Sequence, residues 1–261
     1  MLLGAPVAPI GVYQGYCRHV TDHAVVEANG VGIAYRTYGP VDGAVDGAVD
    51  SAVDGPVDAA PLILLHGLGD GMAGWDGVAG RLAADRHAYA LDLRGHGASD
   101  WPGDYGLELM RDDVLAFLDL LSLGPVDVIG HSMGGVVAYL LAAERPGRVR
   151  TLVLEDVPPP VPRDPPPLVR PEEPLSFDWV MVEAIRPQID HPDPAWLERL
   201  GRITARTLVI GGGPDSHIPQ DRVAEMARRI PGAAHVTIPA GHLVHENAPD
   251  AFVREVAAFL G

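Results

Sequence analysis

Short apolar runs alternate with helical patterns along most of this chain, and that alternation restricts its fold more than any other feature. Leu62–Leu65, Ala88–Leu91, Val126–Ile129, Thr151–Leu154, Thr207–Ile210 and His235–Ile238 are short and near-continuously apolar, as strands covered on both faces tend to be. Helical patterns fall between most of them, at Trp75–Ala84, Leu107–Leu121, Met133–Glu144, Gln220–Ile230 and Pro249–Leu260. Strand–helix alternation with short connections predicts an α/β fold with a mostly parallel, doubly wound central sheet. Val25–Ala28 and Val31–Tyr38 flank Asn29-Gly30, which predicts a hairpin. In such sheets chemistry gathers at the carboxyl ends of the strands.

Two segments interrupt the pattern. Val41 to Ala60 repeats Val-Asp-Gly-Ala with aspartates at 42, 46, 50, 54 and 58. A four-residue period rich in Gly and Asp offers no continuous face to bury, so a solvated loop is expected. A calcium loop needs several carboxylates converging on one turn, which this spacing does not supply. Pro158 to Pro174 holds nine prolines in seventeen residues, too many for a helix or a central strand. Two short helices are expected after it, one over Ser176–Arg186 capped by Ser176 and one over Asp193–Leu200 capped by Asp193. Asn247 is the expected cap of the last helix. The division that follows is a core of residues 1–156 and 204–261, carrying the 41–60 loop, and a proline-rich lid of residues 157–203. Of the 261 residues, this leaves enough for one domain with additions rather than two domains.

Charge narrows the partners. Thirty-five acidic residues face nineteen basic ones, all arginine, for a net charge of −16. Such a chain repels phosphate backbones, which argues against nucleic acid and anionic membranes as partners. The single cysteine, Cys17, cannot form an intramolecular disulfide. Met1–Ile10 lacks a basic region before its apolar residues, and no run approaches the ~20 apolar residues that span a bilayer. A soluble, cytoplasmic protein acting on a small molecule is expected. The oligomeric state is not legible.

Gly130-His131-Ser132-Met133-Gly134 follows an apolar run and opens an apolar helix. Small residues around Ser132 let the chain turn sharply and project the hydroxyl above the sheet. A serine there becomes a nucleophile only with a base beside it.

In this and three further motifs the chain resembles the α/β-hydrolase fold superfamily, in particular its compact bacterial serine esterases with a small lid. The others are His66-Gly67-Leu68-Gly69, Asp92-Leu93-Arg94-Gly95-His96-Gly97-Ala98-Ser99-Asp100, and Gly241-His242. The resemblance implies Ser132 as nucleophile and His242 as general base, with His245 the weaker alternative. It implies backbone N–H groups of Leu68 and Met133 as the oxyanion hole. Thr207 to Pro219 matches the superfamily's strand, turn and acid, so Asp215 is the expected orienting carboxylate. Asp156, at the end of the preceding strand, is the alternative, because some members take their acid there. His66, His96 and His131 are expected to serve as hydrogen-bonding scaffold, and Arg94 as a buried ion-pair partner. No H-E-x-x-H or Cys/His spacing points to a metal, and no cofactor is implied. Trp75, Trp179 and Met181 are candidate pocket walls, as are Trp101 and Trp196 among the four tryptophans.

The expected activity is hydrolysis of a small or medium, largely uncharged carboxylic ester, lactone or thioester through an acyl-enzyme. The same three residues also support C–C bond hydrolysis or cofactor-free perhydrolase and haloperoxidase chemistry. A ligand receptor that keeps the fold without turnover is the alternative of a different class.

Overall fold

The computed structural model describes residues 23–40 and 59–261. Cys17, the segment Met1–Ile10 and positions 41–58 of the repeat lie outside the described residues. Eight strands form one sheet: β1 (Ala24–Ala28), β2 (Val31–Tyr38), β3 (Leu62–Leu65), β4 (Ala88–Leu91), β5 (Val126–His131), β6 (Val149–Glu155), β7 (Arg206–Gly211) and β8 (Ala234–Thr237). Their spatial order is β1-β2-β4-β3-β5-β6-β7-β8. The β1–β2 and β2–β4 pairs are antiparallel, and β3 through β8, with β4, pair in parallel. The chain therefore has the mostly parallel α/β architecture that the alternation predicts. At the hairpin, Asn29 and Gly30 both take positive φ, 53° and 76°, which a two-residue turn between right-twisted strands requires.

The helices are α1 (Asp76–Leu82), α2 (Leu107–Leu120), α3 (Ser132–Glu144), α4 (Trp179–Asp190), α5 (Pro194–Arg199), α6 (Gln220–Arg229), α7 (Val244–Asn247) and α8 (Pro249–Leu260). One apolar cluster includes Phe117, Val137, Leu141 and Leu154, and packs α2 and α3 on one face of the sheet. A second includes Val78, Leu82, Phe252 and Val256, and packs α1 and α8 on the other. β3 is completely buried, so its uninterrupted Leu-Ile-Leu-Leu is what a strand between two helical layers needs. None of the described helices is long and apolar enough to cross a membrane.

Two expected caps are corrected. Ser176 does not cap α4; the carboxylate of Asp178 accepts the Val180 N–H instead, while Ser176 C=O accepts the Gly97 N–H. Asn247 closes α7 rather than opening α8, and its side-chain amide donates to Ala240 C=O at 2.9 Å. Asp193 caps α5 as expected, accepting from the Ala195 N–H.

Between β6 and β7 the chain leaves the sheet for residues 157–203, which carry α4 and α5. This segment is pinned to the loop after β4. The Asp178 N–H donates to Gly95 C=O, and the Tyr105 hydroxyl donates to Asp178 at 2.6 Å. That same loop is braced from below by Arg94, which is buried and donates through Nε and Nη2 to Asp113 of α2, each at 2.5 Å. Asn29 of the hairpin turn also donates to Asp113, so one carboxylate joins turn, loop and helix.

Candidate active site

Ser132 stands where β5 becomes α3, with φ of 49°. Only sparsely populated backbone space is available to a non-glycine residue there, and such strain persists where the surroundings enforce it. The enforcement is visible in its neighbours. A Cβ on Gly134 would lie 2.3 Å from Leu65 C=O, and one on Gly130 would lie 2.5 Å from Gly134 C=O. The two flanking glycines let strand and helix close to that distance, and the closure pushes Ser132 out toward the pocket.

His242 lies on the loop after β8. Its Nδ1–H donates to Asp156 Oδ2 at 2.7 Å, leaving Nε2 as the ring nitrogen open to other chemistry. Asp156 is fully buried and has φ of 53°, the same left-handed twist as Ser132. Its Oδ1 also accepts from the Gly212 N–H and from Gln220 Nε2, both at 3.0 Å. The Ser216 hydroxyl donates to Oδ2. Burial pushes this carboxyl up, but donation from His242, Gln220, Ser216 and the Gly212 N–H outweighs it and holds Asp156 below the usual carboxylate range.

Asp215 is not the residue that meets the imidazole. It is exposed on the turn after β7, while the ring nitrogen of His242 goes to Asp156. The turn after β7 supplies donors to Asp156, which follows β6, rather than a carboxylate to His242.

Three further histidines are scaffold, as expected. His66 donates through Nδ1 to Gly67 C=O at 2.8 Å and accepts the Leu93 N–H at Nε2. His96 accepts the Gly69 N–H at Nε2 and donates through Nδ1 to the backbone of its own loop. Burial keeps both neutral, lowering His66 to about 4 and His96 to about 3. Together they tie the Gly67–Gly69 turn to the loop after β4. His131 donates through Nε2 to His242 C=O at 3.0 Å, and burial lowers it to about 4. Gly67 lies so close that a Cβ there would stand 2.8 Å from His131 Nδ1 and 3.5 Å from Ser132 Cβ.

His245 does not line the cavity that Ser132 borders. It is buried, stacks on Trp75 with ring centroids 4.2 Å apart, and donates through Nδ1 to Glu155.

A cavity of about 750 Å³ opens above the strand ends, bordered by Ser132, His242, Leu68 and Met133. Its far wall comes from residues 158–163 and from Ile189 and Trp196 of the inserted segment. The expected walls Trp75, Trp179 and Met181 do not border it. Trp75 is in the core against His245, Met181 is fully buried, and Trp179 donates to Glu183 on its own helix. Of the tryptophans, Trp196 is the one on the cavity, and Trp101 is exposed elsewhere.

A sequence profile of the alpha/beta hydrolase fold family matches residues 60–182, which run through the Ser132 turn. The chain has the fold of the α/β-hydrolase superfamily. By sequence it is similar to 2-hydroxymuconate semialdehyde hydrolase of a Pseudomonas strain, 38% identical over 99 residues, 36% of this chain and 35% of that protein. It is 25% identical over 247 residues to the mouse sn-1-specific diacylglycerol lipase ABHD11, covering 76% of this chain and 80% of the relative. Among solved structures, Est816, described as an N-acyl homoserine lactone degrading enzyme, superposes with a TM-score of 0.74 and 25% identity, over 90% of this chain and 100% of the other. The chain spans between 26% and 35% of the length of the first curated relatives it matches.

The residues that sequence reasoning missed are the supports: Gly212, Ser216 and Gln220 around Asp156, and Glu155 beside His245. The pattern Gly-Gly-Gly-Pro-Asp-Ser at 211–216 was legible as a turn. Nothing local says that its donors face a carboxylate 56 to 64 residues earlier.

Proposed function

We propose that this chain is a serine hydrolase of small or medium, largely uncharged carboxylic esters, lactones or thioesters. One observation carries the reading: Ser132, on its strained turn, and His242, oriented by Asp156, border one cavity. Ser132 Oγ attacks the carbonyl carbon while His242 Nε2 takes its proton. The carbonyl oxygen becomes an oxyanion facing the N–H groups of Leu68 and Met133, the latter at the first turn of α3, where the helix dipole favours negative charge. The tetrahedral species collapses to an acyl-enzyme as His242 returns the proton to the leaving alcohol or thiol. Water, deprotonated by the same imidazole, then releases the acid. Asp156 fixes the ring's orientation and stabilises its cation throughout.

Residues 157–203 act as the lid of this pocket. Each arginine on its walls is engaged by a carboxylate rather than aimed free into the cavity. Arg163 and Arg186 both donate to Asp190, and Arg222 donates to Glu225. A second reading, C–C bond hydrolysis on the same residues, is supported by the likeness to a 2-hydroxymuconate semialdehyde hydrolase.

Incubation of the folded protein with a fluorophosphonate, followed by peptide mass mapping, checks the nucleophile. Labelling of Ser132 that disappears in Ser132→Ala is the expected result, and an unlabelled Ser132 in folded protein sinks the proposal. Turnover of p-nitrophenyl esters, lactones and vinylogous diketones then separates the two chemistries, with a loss on the order of 10³-fold or more expected in Ser132→Ala.

A further inference from the structure

His245 carries a feature that the hydrolytic reading does not use. Its side chain is 1% exposed, and its Nε2 is buried without a hydrogen-bond partner among the described residues. The other ring nitrogen is fixed: Nδ1 donates to both oxygens of Glu155, at 2.9 and 2.8 Å, and the His245 backbone N–H donates to the same carboxylate. Stacking on Trp75 settles the ring plane. Nε2 is therefore aimed in one direction, and two carboxylates stand there. Glu246 Oε1 is 3.9 Å away, too far for a hydrogen bond. Ligand atoms of Asp70, His245 and Glu246 all lie within 4.8 Å of one another. Gly74 leaves room for both acids, since a Cβ there would lie 3.2 Å from an Asp70 oxygen and 3.3 Å from Glu246 Oε1.

We propose that Asp70, His245 and Glu246 form a binding site for a divalent cation, with zinc the best match. One imidazole and two carboxylates are an ordinary donor set for zinc, with water completing the shell. Glu155 occupies the place that a carboxylate takes behind a metal-bound histidine, where it fixes the tautomer and raises ligand basicity. The ligand atoms must close by about an ångström for a tetrahedral shell, and the two acids have the freedom to do so. Glu246 is exposed and Asp70 half-buried. Asp70 follows the Gly67–Gly69 turn and Glu246 follows His242 by four residues, and both border the active-site cavity. A cation held between them ties the two rims of the pocket mouth together. The site is separate from the Ser132, His242 and Asp156 constellation and stands whether or not that constellation is hydrolytic.

The test is calorimetric titration of the tag-free, chelator-treated full chain with Zn²⁺. One ion per chain is expected, with Asp70→Asn and Glu246→Gln each weakening binding by about 10-fold or more, and Glu155→Gln by ~10–100-fold. Glu225→Gln, on a distant surface pair, should bind as wild type does. Circular dichroism establishes that the two partly accessible acid variants are folded, so the test does not depend on replacing buried His245. Anomalous diffraction at the zinc edge should place the ion ~2.0–2.1 Å from His245 Nε2. Absence of stoichiometric uptake overturns the proposal. So does uptake that the Asp70→Asn, Glu246→Gln double variant leaves unchanged, because the ion would then sit elsewhere, on surface histidines.

Discussion

Asp156 reaches His242 only because its backbone turns left-handed at the end of β6, with φ of 53°. That twist aims the carboxylate at the loop after β8 and beneath the donors of the loop after β7. Asp156→Asn should keep the geometry while favouring the wrong imidazole tautomer, lowering kcat for ester hydrolysis by on the order of 10³–10⁴-fold. Asp215→Asn should leave kcat near wild type, and side-by-side kinetics on one ester decides between them. The reverse ranking would return the acid's role to the turn after β7. The donors around Asp156 also have a pH signature. Its folded value lies below the ordinary one, so its contribution to stability is complete above the unfolded value and is lost as pH falls through the lower folded value. Ser132 was legible in sequence because everything that defines its turn lies within two residues of it. The carboxylate that meets His242 was not, because Asp156 is brought there by a left-handed backbone turn and by contacts spanning more than fifty residues.

At the scale of elements, strands and helices were legible to within a few residues, since buried parallel strands and amphipathic helices announce themselves by period. Two of the three caps were not, Asp193 being the exception, because capping side chains have other suitors. Asn247 prefers Ala240 C=O, and Asp178 lies two residues past the serine that sequence favoured. The junction of β5 with α3 has little tolerance. Gly134→Ala drives a methyl into Leu65 C=O, where backbone must move, so thermal or urea unfolding should show a loss of about 1–3 kcal/mol together with reduced labelling of Ser132. Arg94 is the brace of the loop after β4. Arg94→Met would strand the Asp113 carboxylate, buried at 1% exposure, and breaking such a pair costs about 3–5 kcal/mol. Urea titration of Arg94→Met against an Asp113→Asn, Arg94→Met double variant checks this, since removing the orphaned charge should restore part of the loss.

For the molecule as a whole, acidity is felt first through rings that folding keeps uncharged. His66 and His96 are lowered by burial to about 4 and about 3 from the ordinary 6.5. Between those values the unfolded chain binds protons that the folded chain refuses, so stability falls as pH drops below about 6.5 and is unaffected above it. Each ring contributes a slope of about 1.4 kcal/mol per pH unit in that window. Urea midpoints from pH 7.5 to 5 should therefore decline, and less steeply in His96→Asn; equal slopes would show that His96 titrates as freely folded as unfolded.

Residues 157–203 have a consequence for anyone wishing to exchange one specificity for another. β6 and β7 run in parallel, with Glu155 beside Ile210 and Thr151 beside Arg206, so this segment leaves one end of the sheet and must deliver the chain to the opposite end. A parallel crossover takes a dozen or more residues. Here α5 and the turn Leu200–Arg202 provide it, with Trp196 and Leu200 buried in the core. A foreign insert should therefore be spliced between Val157 and Asp193, retaining Pro194–Arg202 as the return path. A transplant of the entire stretch removes the scaffold's own stitching along with the part that lines the cavity.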